Sequence, residues 1–461
     1  MHLNNCNPLE FTKVLFICTL SILLLFFGFF TNCWQVADQQ WFVNHQRDME
    51  SYIVGRMVKS RQDGVFSDGG LTGVGSRDAT PVNYFDKPFS FQYIAYINGL
   101  TFGAYSTYSS QVGGQGMLFS ILDSLIPLSP EKKLRLFHAF TSLLSALTLT
   151  GIILWFYLEF GLSIALFVLA SAIFSQWLVV FGRNLWWSMW AFYLPMVVAI
   201  HYLKRNNAST NSQLITFGIL VFITIFIKCL FNGYEYITTT LIMMMVPFVY
   251  YSILNKLSFR RFFRGLITAA LGSCLAILLS FSILCFQIAS IKGNLLDGVN
   301  HIVYSLQKRT HADSHNFPSI YASSLESSTT TVVVKYLKGT FFDANNYLSS
   351  SNPFVRRLLF KIRYLYLIFL FLIMSVFLYS RRNRYVSEKE GQSCLALIFA
   401  TWFSILAPLS WFIVFKAHSY IHTHMNYIVW QMPFIFFGFA VCGLAVKSVL
   451  SDLILIARRC T

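Results

Sequence analysis

The sequence predicts an all-α polytopic membrane protein, on the basis of its composition and its long apolar runs. Of its 461 residues 56% are hydrophobic and 12% are charged, and the mean hydropathy is +0.57. Ordinary soluble domains are less apolar and more charged. Several runs reach the about 20 residues of helix that cross a hydrocarbon core. We therefore treat 1–461 as a single membrane-embedded domain.

Ten apolar runs are predicted to span the membrane, which makes the fold a bundle of about 10 transmembrane helices. The first is longer than the apolar core of a usual signal peptide, and no small-residue cleavage site follows it. We interpret it as a retained signal anchor. The runs lie near 13–31, 136–158, 161–181, 186–203, 213–232, 236–254, 266–290, 358–380, 394–415 and 427–447.

The charge distribution predicts a cytoplasmic N-terminus and explains the net charge of +16. With this orientation the short inside segments collect lysine and arginine, as the positive-inside rule requires, and some of these groups can face lipid phosphates. No basic helix with stacking aromatic residues stands apart from the apolar runs, so nucleic-acid binding is excluded. The outer loops lack glycosylation sequons, which favours a bacterial inner membrane. The inside cations include Lys204, Arg205, Lys256, Arg260, Arg261, Arg264 and Lys447.

Two long outer loops, 32–135 and 291–357, distinguish this chain from a compact transporter, whose work is done by helices at mid-membrane. The first loop is predicted to carry two amphipathic helices, at 45–61 and 115–126, from apolar residues at helical spacing. The glycine-rich passage 69–75 lacks the strand–helix context of a dinucleotide-binding loop and is predicted to be a flexible loop.

Asp48 and Glu50 are the only acids of 44–61, and they follow the first apolar run closely. Two residues apart on a helix, they point to different sides. One carboxylate could act as a general base on an acceptor hydroxyl or amide, or orient a metal, while the other holds a basic neighbour such as Arg47. The alternative is an interfacial helix whose acids are simply solvated.

Two further charged residues are predicted at outer turns. Arg183 follows the third run, where its guanidinium could grip phosphate through two hydrogen bonds. The alternative is an arginine snorkelling in an aromatic belt. Glu235 lies in a very short turn, and an acid so close to a membrane is a functional candidate. Its alternative is an ion pair with a basic residue, for which Lys228 is two helical turns away.

A basic and histidine-rich outer turn precedes the last run, with Lys416, His418, His422 and His424. Neutral histidine is a common metal ligand and also a partner for phosphate or hydroxyl groups. No HExxH motif accompanies these residues, so a metal triad has no support from a motif. The basic run 308–311 in the second loop is expected to be solvated.

The arrangement resembles the GT-C glycosyltransferases, polytopic enzymes that take sugars from polyprenyl-phosphate donors. Protein O-mannosyltransferases, aminoarabinose transferases and oligosaccharyltransferases have an N-terminal span and a large first outer loop. That loop carries two amphipathic helices and an acidic motif, often Asp-Glu or Asp-x-Glu. Asp48-Met49-Glu50 matches the motif, and 45–61 and 115–126 match the helices.

This resemblance implies hexosyl or pentosyl transfer to a glycan, lipid or protein acceptor at the outer face of the bilayer. By analogy Asp48 is the catalytic or metal-orienting acid, and Glu50 and Glu235 are secondary acids. No cofactor is established, and a divalent Mg or Mn ion is one option. Two rivals stay open, an O-antigen polymerase or ligase-like envelope enzyme and a transporter or flippase of lipid-linked saccharides. The donor phosphate would be bound by Arg183, Lys416, His418, His422 and His424.

Overall fold

The computed structural model describes residues 8–79, 89–206, 210–348, 352–354, 360–382 and 387–460. The protein is 78% helical and has almost no sheet, which confirms the prediction of a helical fold. The α-helices are α1 Pro8–Thr31, α2 Gln39–Asn44, α3 Arg47–Asp63, α4 Phe89–Asn98, α5 Gly114–Leu125, α6 Pro130–Phe160, α7 Leu162–Ile173, α8 Gln176–Gly182, α9 Met189–Arg205, α10 Asn211–Asn232, α11 Ile237–Leu254, α12 Phe259–Lys292, α13 Leu295–Gln307, α14 Ala322–Glu326, α15 Thr329–Leu337, α16 Tyr364–Ser380, α17 Glu388–Ser404, α18 Leu406–Val414, α19 Lys416–Ile421 and α20 Phe434–Cys460.

Seven helical stretches of the described chain are long and apolar enough to cross a membrane. They are α1, α6, α10, α11, α12, the α17–α18 stretch and α20. The pair α7 and α8, bent by 68° at its break, would be an eighth. These helices are compatible with a multi-pass membrane protein.

Each predicted run coincides with helical structure, but the number ten stays a prediction. The helices α9 and α16 have 17 residues each and do not reach the length of the seven stretches. The first residues of the run near 358–380 lie partly outside the described residues.

Local sequence signals set the ends of the helices. Pro130 occupies the first turn of α6, where its missing N–H costs nothing. Gly161 ends α6 with φ +93°, a conformation that glycine adopts most readily. Thr210 and Gln213 form a reciprocal capping box at the start of α10. The helices then pack in pairs, with α1 on α6, α10 on α12, α11 on α17 and α7 on α20.

The segment 32–129 between α1 and α6 is a folded unit. It holds α2 to α5, so helices are present at both predicted amphipathic positions. Strand β1 (Gly73–Ser76) pairs antiparallel with β2 (Ala104–Thr107). The prediction of a flexible loop at 69–75 is wrong, because 70–75 is buried and partly in β1. A Cβ on Gly75 would lie 2.1 Å from the Phe102 ring, so the close approach of this ring requires a glycine.

The carboxylate of Asp123 connects this segment to α6. It accepts hydrogen bonds from Arg61 Nε (2.6 Å), Tyr96 Oη (2.6 Å) and Lys133 Nζ (3.1 Å). These partners come from α3, α4 and α6, while Asp123 itself lies on α5. Asp123 is 3% exposed, and a buried carboxylate needs such partners. The four helices are therefore held together at one point.

The segment 293–363 packs at the same end of the helix bundle. It holds α13, α14 and α15, and a second antiparallel pair, β3 (Thr340–Asp343) with β4 (Lys361–Arg363). Asn346 Nδ2 donates to the Val36 carbonyl (2.9 Å), which joins the two segments. We call this end of the bundle, which carries 32–129 and 293–363, the loop face.

Candidate functional site

The two acids of α3 lie in different environments, as two positions two residues apart on a helix require. Asp48 is exposed at the start of α3. Glu50 is 6% exposed and points into the protein. The different orientations of the two acids agree with the helical geometry expected from their spacing. The neighbour expected for one of them, Arg47, does not pair with Glu50, whose basic neighbour is His138.

Three donors surround the Glu50 carboxylate. His138 Nε2 on α6 lies 3.0 Å from Oε1, Tyr93 Oη on α4 donates to Oε1 (3.0 Å), and the Leu185 backbone N–H donates to Oε2 (3.1 Å). Burial raises the pKa of Glu50, but His138, the Leu185 N–H and Tyr93 together lower it to about 2. Glu50 is therefore ionised at neutral pH, and both of its carboxylate oxygens are hydrogen-bonded within the protein.

Asn184 shapes the turn that presents the Leu185 N–H. Its Oδ1 accepts from the Trp186 N–H (2.9 Å) and the Trp187 N–H (3.0 Å), and its Nδ2 donates to the His45 carbonyl (3.2 Å). Asn184 is 4% exposed. The Asn184 side chain thus caps two backbone N–H groups of this turn, as a polar side chain does at the start of a helix.

We expect Asn184→Ala to lower the free energy of unfolding by about 1–2 kcal/mol, the effect of losing a backbone cap. The turn would then hold Leu185 less firmly against Glu50. Thermal unfolding of the purified protein in detergent checks this, with Asn98→Ala as the control, since exposed Asn98 bonds only to a carbonyl of its own helix. Equal unfolding temperatures for the two variants would contradict the capping role.

A cavity of about 500 Å³ opens beside Glu50, near the ends of α1 and α6 at the loop face. Three guanidinium groups line it, those of Arg47, Arg135 and Arg183. Each is close to an aromatic ring, and the distance from the guanidinium carbon to the ring centroid is 4.7 Å for Arg47 over Tyr93, 6.0 Å for Arg135 over Phe30 and 4.1 Å for Arg183 over Phe42.

The three arginines make no ion pair with a carboxylate of the described residues. Each guanidinium has five N–H donors. Arg183 uses one on the Phe42 carbonyl (3.5 Å) and Arg47 uses one on the Tyr93 hydroxyl, and the other donors can bind an anion. The rest of the lining is mixed. Its apolar side chains are Phe30, Phe42, Val43, Ile97, Leu134 and Val180, and its polar ones are Thr31, His45, Glu50, Tyr93, Glu131, His138 and Asn184. We call this space the arginine cavity. Its chemistry suits a phosphate group attached to an aliphatic chain.

The histidine turn lies in another part of the loop face. The ring centroids of His418 and His422 are 4.4 Å apart, and those of His422 and His424 are 5.5 Å apart. Burial lowers the pKa values of His418 and His422 well below the usual range, with help from neighbouring cations and histidines, so both rings are neutral at pH 7. As neutral rings they can donate a hydrogen bond to a phosphate but carry no positive charge for it.

Lys416 and Glu235 are both engaged near this turn. Lys416 Nζ donates to the Leu325 carbonyl of α14 (2.7 Å), so it anchors the segment 293–363. Glu235 Oε1 lies 3.5 Å from His418 Nε2 and 3.9 Å from Arg309 Nη2.

The ion pair of Glu235 with a basic residue, given as the alternative to a functional role, is present, and the partner is Arg309. Lys228 is not that partner, because its Nζ donates to the Gly233 carbonyl (2.8 Å) and the Glu235 carbonyl (2.6 Å). The run 308–311 is not simply solvated, since the Arg309 side chain is only 18% exposed.

His424 and His45 connect the histidine turn to α3. Desolvation lowers the pKa of His424, and the negative charge of Asp48 opposes this shift. Burial and the charge of His424 lower the pKa of His45 to about 3. His45 also lines the arginine cavity. The structure therefore places Glu50, His45 and Arg183 around the arginine cavity. His424 continues from there to His422 and His418, the neighbours of Glu235.

Several residues of the arginine cavity were not predicted from the sequence, among them Arg135 and His138 in the first turns of α6. Arg135 lies just before the predicted span, which began at 136, and His138 lies inside it. The available signal was helical spacing, because residues three apart share a helix face. This spacing would have placed Arg135 beside His138.

No protein-family model, no curated protein and no solved structure matches the chain. The fold and site define a helical protein, compatible with multi-pass membrane insertion, that carries a cavity lined by three arginines at its loop face. Its function is inferred from the chemistry of this site. The described residues contain no group of three or more His, Cys, Asp or Glu side chains placed to hold a metal ion.

Proposed function

We propose that the chain is a membrane glycosyltransferase of the GT-C kind, which transfers a hexosyl or pentosyl group from a polyprenyl-phosphate donor. The arginine cavity carries this proposal. It combines three guanidinium groups with a set of six apolar side chains at the end of two membrane-length helices. A lipid-linked phosphate has both the anion and the aliphatic chain that such a cavity accommodates.

The charge of the cavity supports a donor with one phosphate. Glu50 and Glu131 also line it, so the lining has one more arginine than carboxylates. A sugar joined to a lipid through one phosphate is a phosphodiester with a single negative charge. The charges of such a donor and its cavity would balance, which reduces the cost of removing both from water.

The proposed reaction is a displacement at the anomeric carbon of the donor sugar. The bond from this carbon to the phosphate oxygen breaks, and a bond to the acceptor oxygen or nitrogen forms. The acceptor proton passes to Asp48, the exposed acid closest in sequence to the cavity residues Arg47 and Glu50. The leaving polyprenyl phosphate gains a second negative charge, which the arginines stabilise more strongly than they stabilise the donor.

Release of polyprenyl phosphate tests this function. The purified chain, reconstituted in lipid vesicles, is given synthetic polyprenyl-phosphate hexoses and pentoses together with a membrane extract as the source of acceptor. Mass spectrometry then measures the released polyprenyl phosphate. The proposal is wrong if the folded protein consumes none of these donors and binds none of them.

For Arg183→Lys we expect polyprenyl phosphate to bind about tenfold more weakly, because lysine keeps the charge and loses the two-pronged guanidinium contact. Binding to the protein in nanodiscs can be measured by native mass spectrometry. Arg205→Lys is the matched control, since Arg205 is exposed at the last turn of α9 and lies outside the cavity. Unchanged binding of polyprenyl phosphate by Arg183→Lys would show that Arg183 does not bind the phosphate.

The O-antigen polymerase or ligase-like enzyme is the second candidate, because such an enzyme would depend on arginines more than on Asp48. The three arginines of the arginine cavity are the observation that favours this second candidate. Asp48→Asn separates the two, since only the GT-C proposal needs a base at this position. A transporter has less support, because the buried cation Lys228 is already bonded to two carbonyl groups.

A further inference from the structure

A second cavity, of about 110 Å³, lies between α11, α12, α13 and α18 at the loop face. It is distinct from the arginine cavity, with which it shares no lining residue. Its walls are mostly apolar, and the polar groups include Glu235, His301 and Arg309. The apolar lining comes chiefly from Ile237, Ile277, Phe281, Leu284, Ile302 and Leu306.

Two polar atoms of this lining have no protein hydrogen-bond partner among the described residues. They are Glu235 Oε2 and Trp411 Nε1, and both atoms are buried. His418 connects them, because its ring lies 5.5 Å from the indole and its Nε2 lies 3.5 Å from the other Glu235 oxygen. Leaving a buried donor or acceptor without a partner is costly. The residues that carry this acceptor and this donor thus both line one cavity.

The chemistry of these two atoms selects a hydroxyl group. A hydroxyl donates one hydrogen bond, which Glu235 Oε2 can accept, and accepts another, which Trp411 Nε1 can donate. An ammonium group cannot accept, and an ionised phosphate diester cannot donate. Glu235 and Arg309, 3.9 Å apart, already balance each other's charge. A neutral ligand is therefore favoured over an ion.

The apolar residues in and around the cavity favour an aliphatic chain attached to the hydroxyl group. The cavity volume holds about four groups of roughly 30 Å³ each, enough for the hydroxyl and the first few carbons. Beyond the cavity, α12 and α13 expose apolar side chains, including Leu275 and Leu278 on α12 and Val299 and Val303 on α13. A longer chain could continue along these faces, where lipid would surround it.

We propose that this cavity binds the hydroxyl end of a long-chain lipid alcohol. This site goes beyond the glycosyltransferase proposal and does not depend on it. A lone water molecule would satisfy the same two polar atoms, so the decisive question is whether an aliphatic alcohol enters.

Photolabelling of the full chain in lipid vesicles tests the proposal. The probe is a straight-chain C16 alcohol with a diazirine near its hydroxyl end. We expect it to label the peptides that contain 277–284 and 302–306. Unlabelled hexadecanol should compete about tenfold better than its methyl ether, which accepts but cannot donate, since one hydrogen bond to a charged group is lost. Hexadecane and hexadecylamine should also compete weakly.

Trp411→Phe removes the indole donor with little change of shape, and we expect it to reduce labelling about tenfold. Trp190→Phe is the matched control, because Trp190 does not line this cavity. Leu284→Trp should abolish labelling by filling the cavity, provided that its unfolding temperature shows a folded protein. Equal competition by the alcohol and its methyl ether would overturn the proposal. So would an absence of labelling in the folded wild type, which would leave the two polar atoms to water alone.

Discussion

Asp48→Asn is expected to lower the rate of sugar transfer by about 10²- to 10⁴-fold, the contribution of a positioned general base. Asparagine has nearly the same shape as aspartate but cannot take the acceptor proton. Asp48 is exposed, so the substitution should leave the unfolding temperature and the binding of polyprenyl phosphate unchanged. Initial rates of donor consumption in vesicles measure the effect.

Asp63→Asn is the matched control for this experiment. Asp63 lies at the other end of α3 and makes a surface ion pair with Lys59 (2.5 Å), which contributes little to stability. Its rate should stay within about twofold of wild type, because typical surface substitutions change little. Full activity in Asp48→Asn, with normal expression, would exclude Asp48 as the base and favour the polymerase or ligase-like alternative.

Glu50→Ala is expected to lower the free energy of unfolding by about 3–5 kcal/mol, because removing one partner of a buried charged group leaves the others unpaired. His138, the Tyr93 hydroxyl and the Leu185 N–H would all lose their acceptor. Thermal unfolding in detergent measures the loss. Glu388→Ala is the control, since the Glu388 side chain is 85% exposed and the same substitution there should cost almost nothing.

The pH dependence of stability tests the same carboxylate. The pKa of Glu50 is about 2 in the folded protein, below its ordinary value of 4.5. A depressed pKa stabilises the folded state above pH 4.5, and this contribution disappears as the pH falls from 4.5 through 2. The difference is worth about 3 kcal/mol. Unfolding temperatures of wild type and Glu50→Gln should therefore converge over this interval, and parallel curves would contradict the assignment.

Sequence patterns predicted the local features of the site better than its assembly. The period of apolar residues placed α3 and α5 within a few residues of their observed bounds, because helical spacing is a local property. The opposite orientations of Asp48 and Glu50 followed from the same geometry. The position of Arg183 beside Glu50 depends on the 68° bend between α7 and α8, which helical periodicity does not encode.

The histidine turn shows the limit of reading charge from sequence. Lysine and histidine near a membrane surface suggested a cationic phosphate site. In the folded protein Lys416 is bonded to α14, and burial keeps His418 and His422 neutral. Whether a basic side chain is charged and free depends on tertiary contacts that a single sequence does not reveal. The cations that the structure places around one cavity come instead from α3, α6 and the end of α8.

The bonds of Asp123 have a consequence for dissecting the protein. Its carboxylate oxygens join Arg61 and Tyr96, between α1 and α6, to Lys133 in the first turn of the membrane-length helix α6. A fragment cut out at 32–129 would keep the carboxylate and lose this lysine. Such a fragment should be a poor substitute for the intact chain in crystallisation or antibody production, and a fusion partner is better attached outside this stretch.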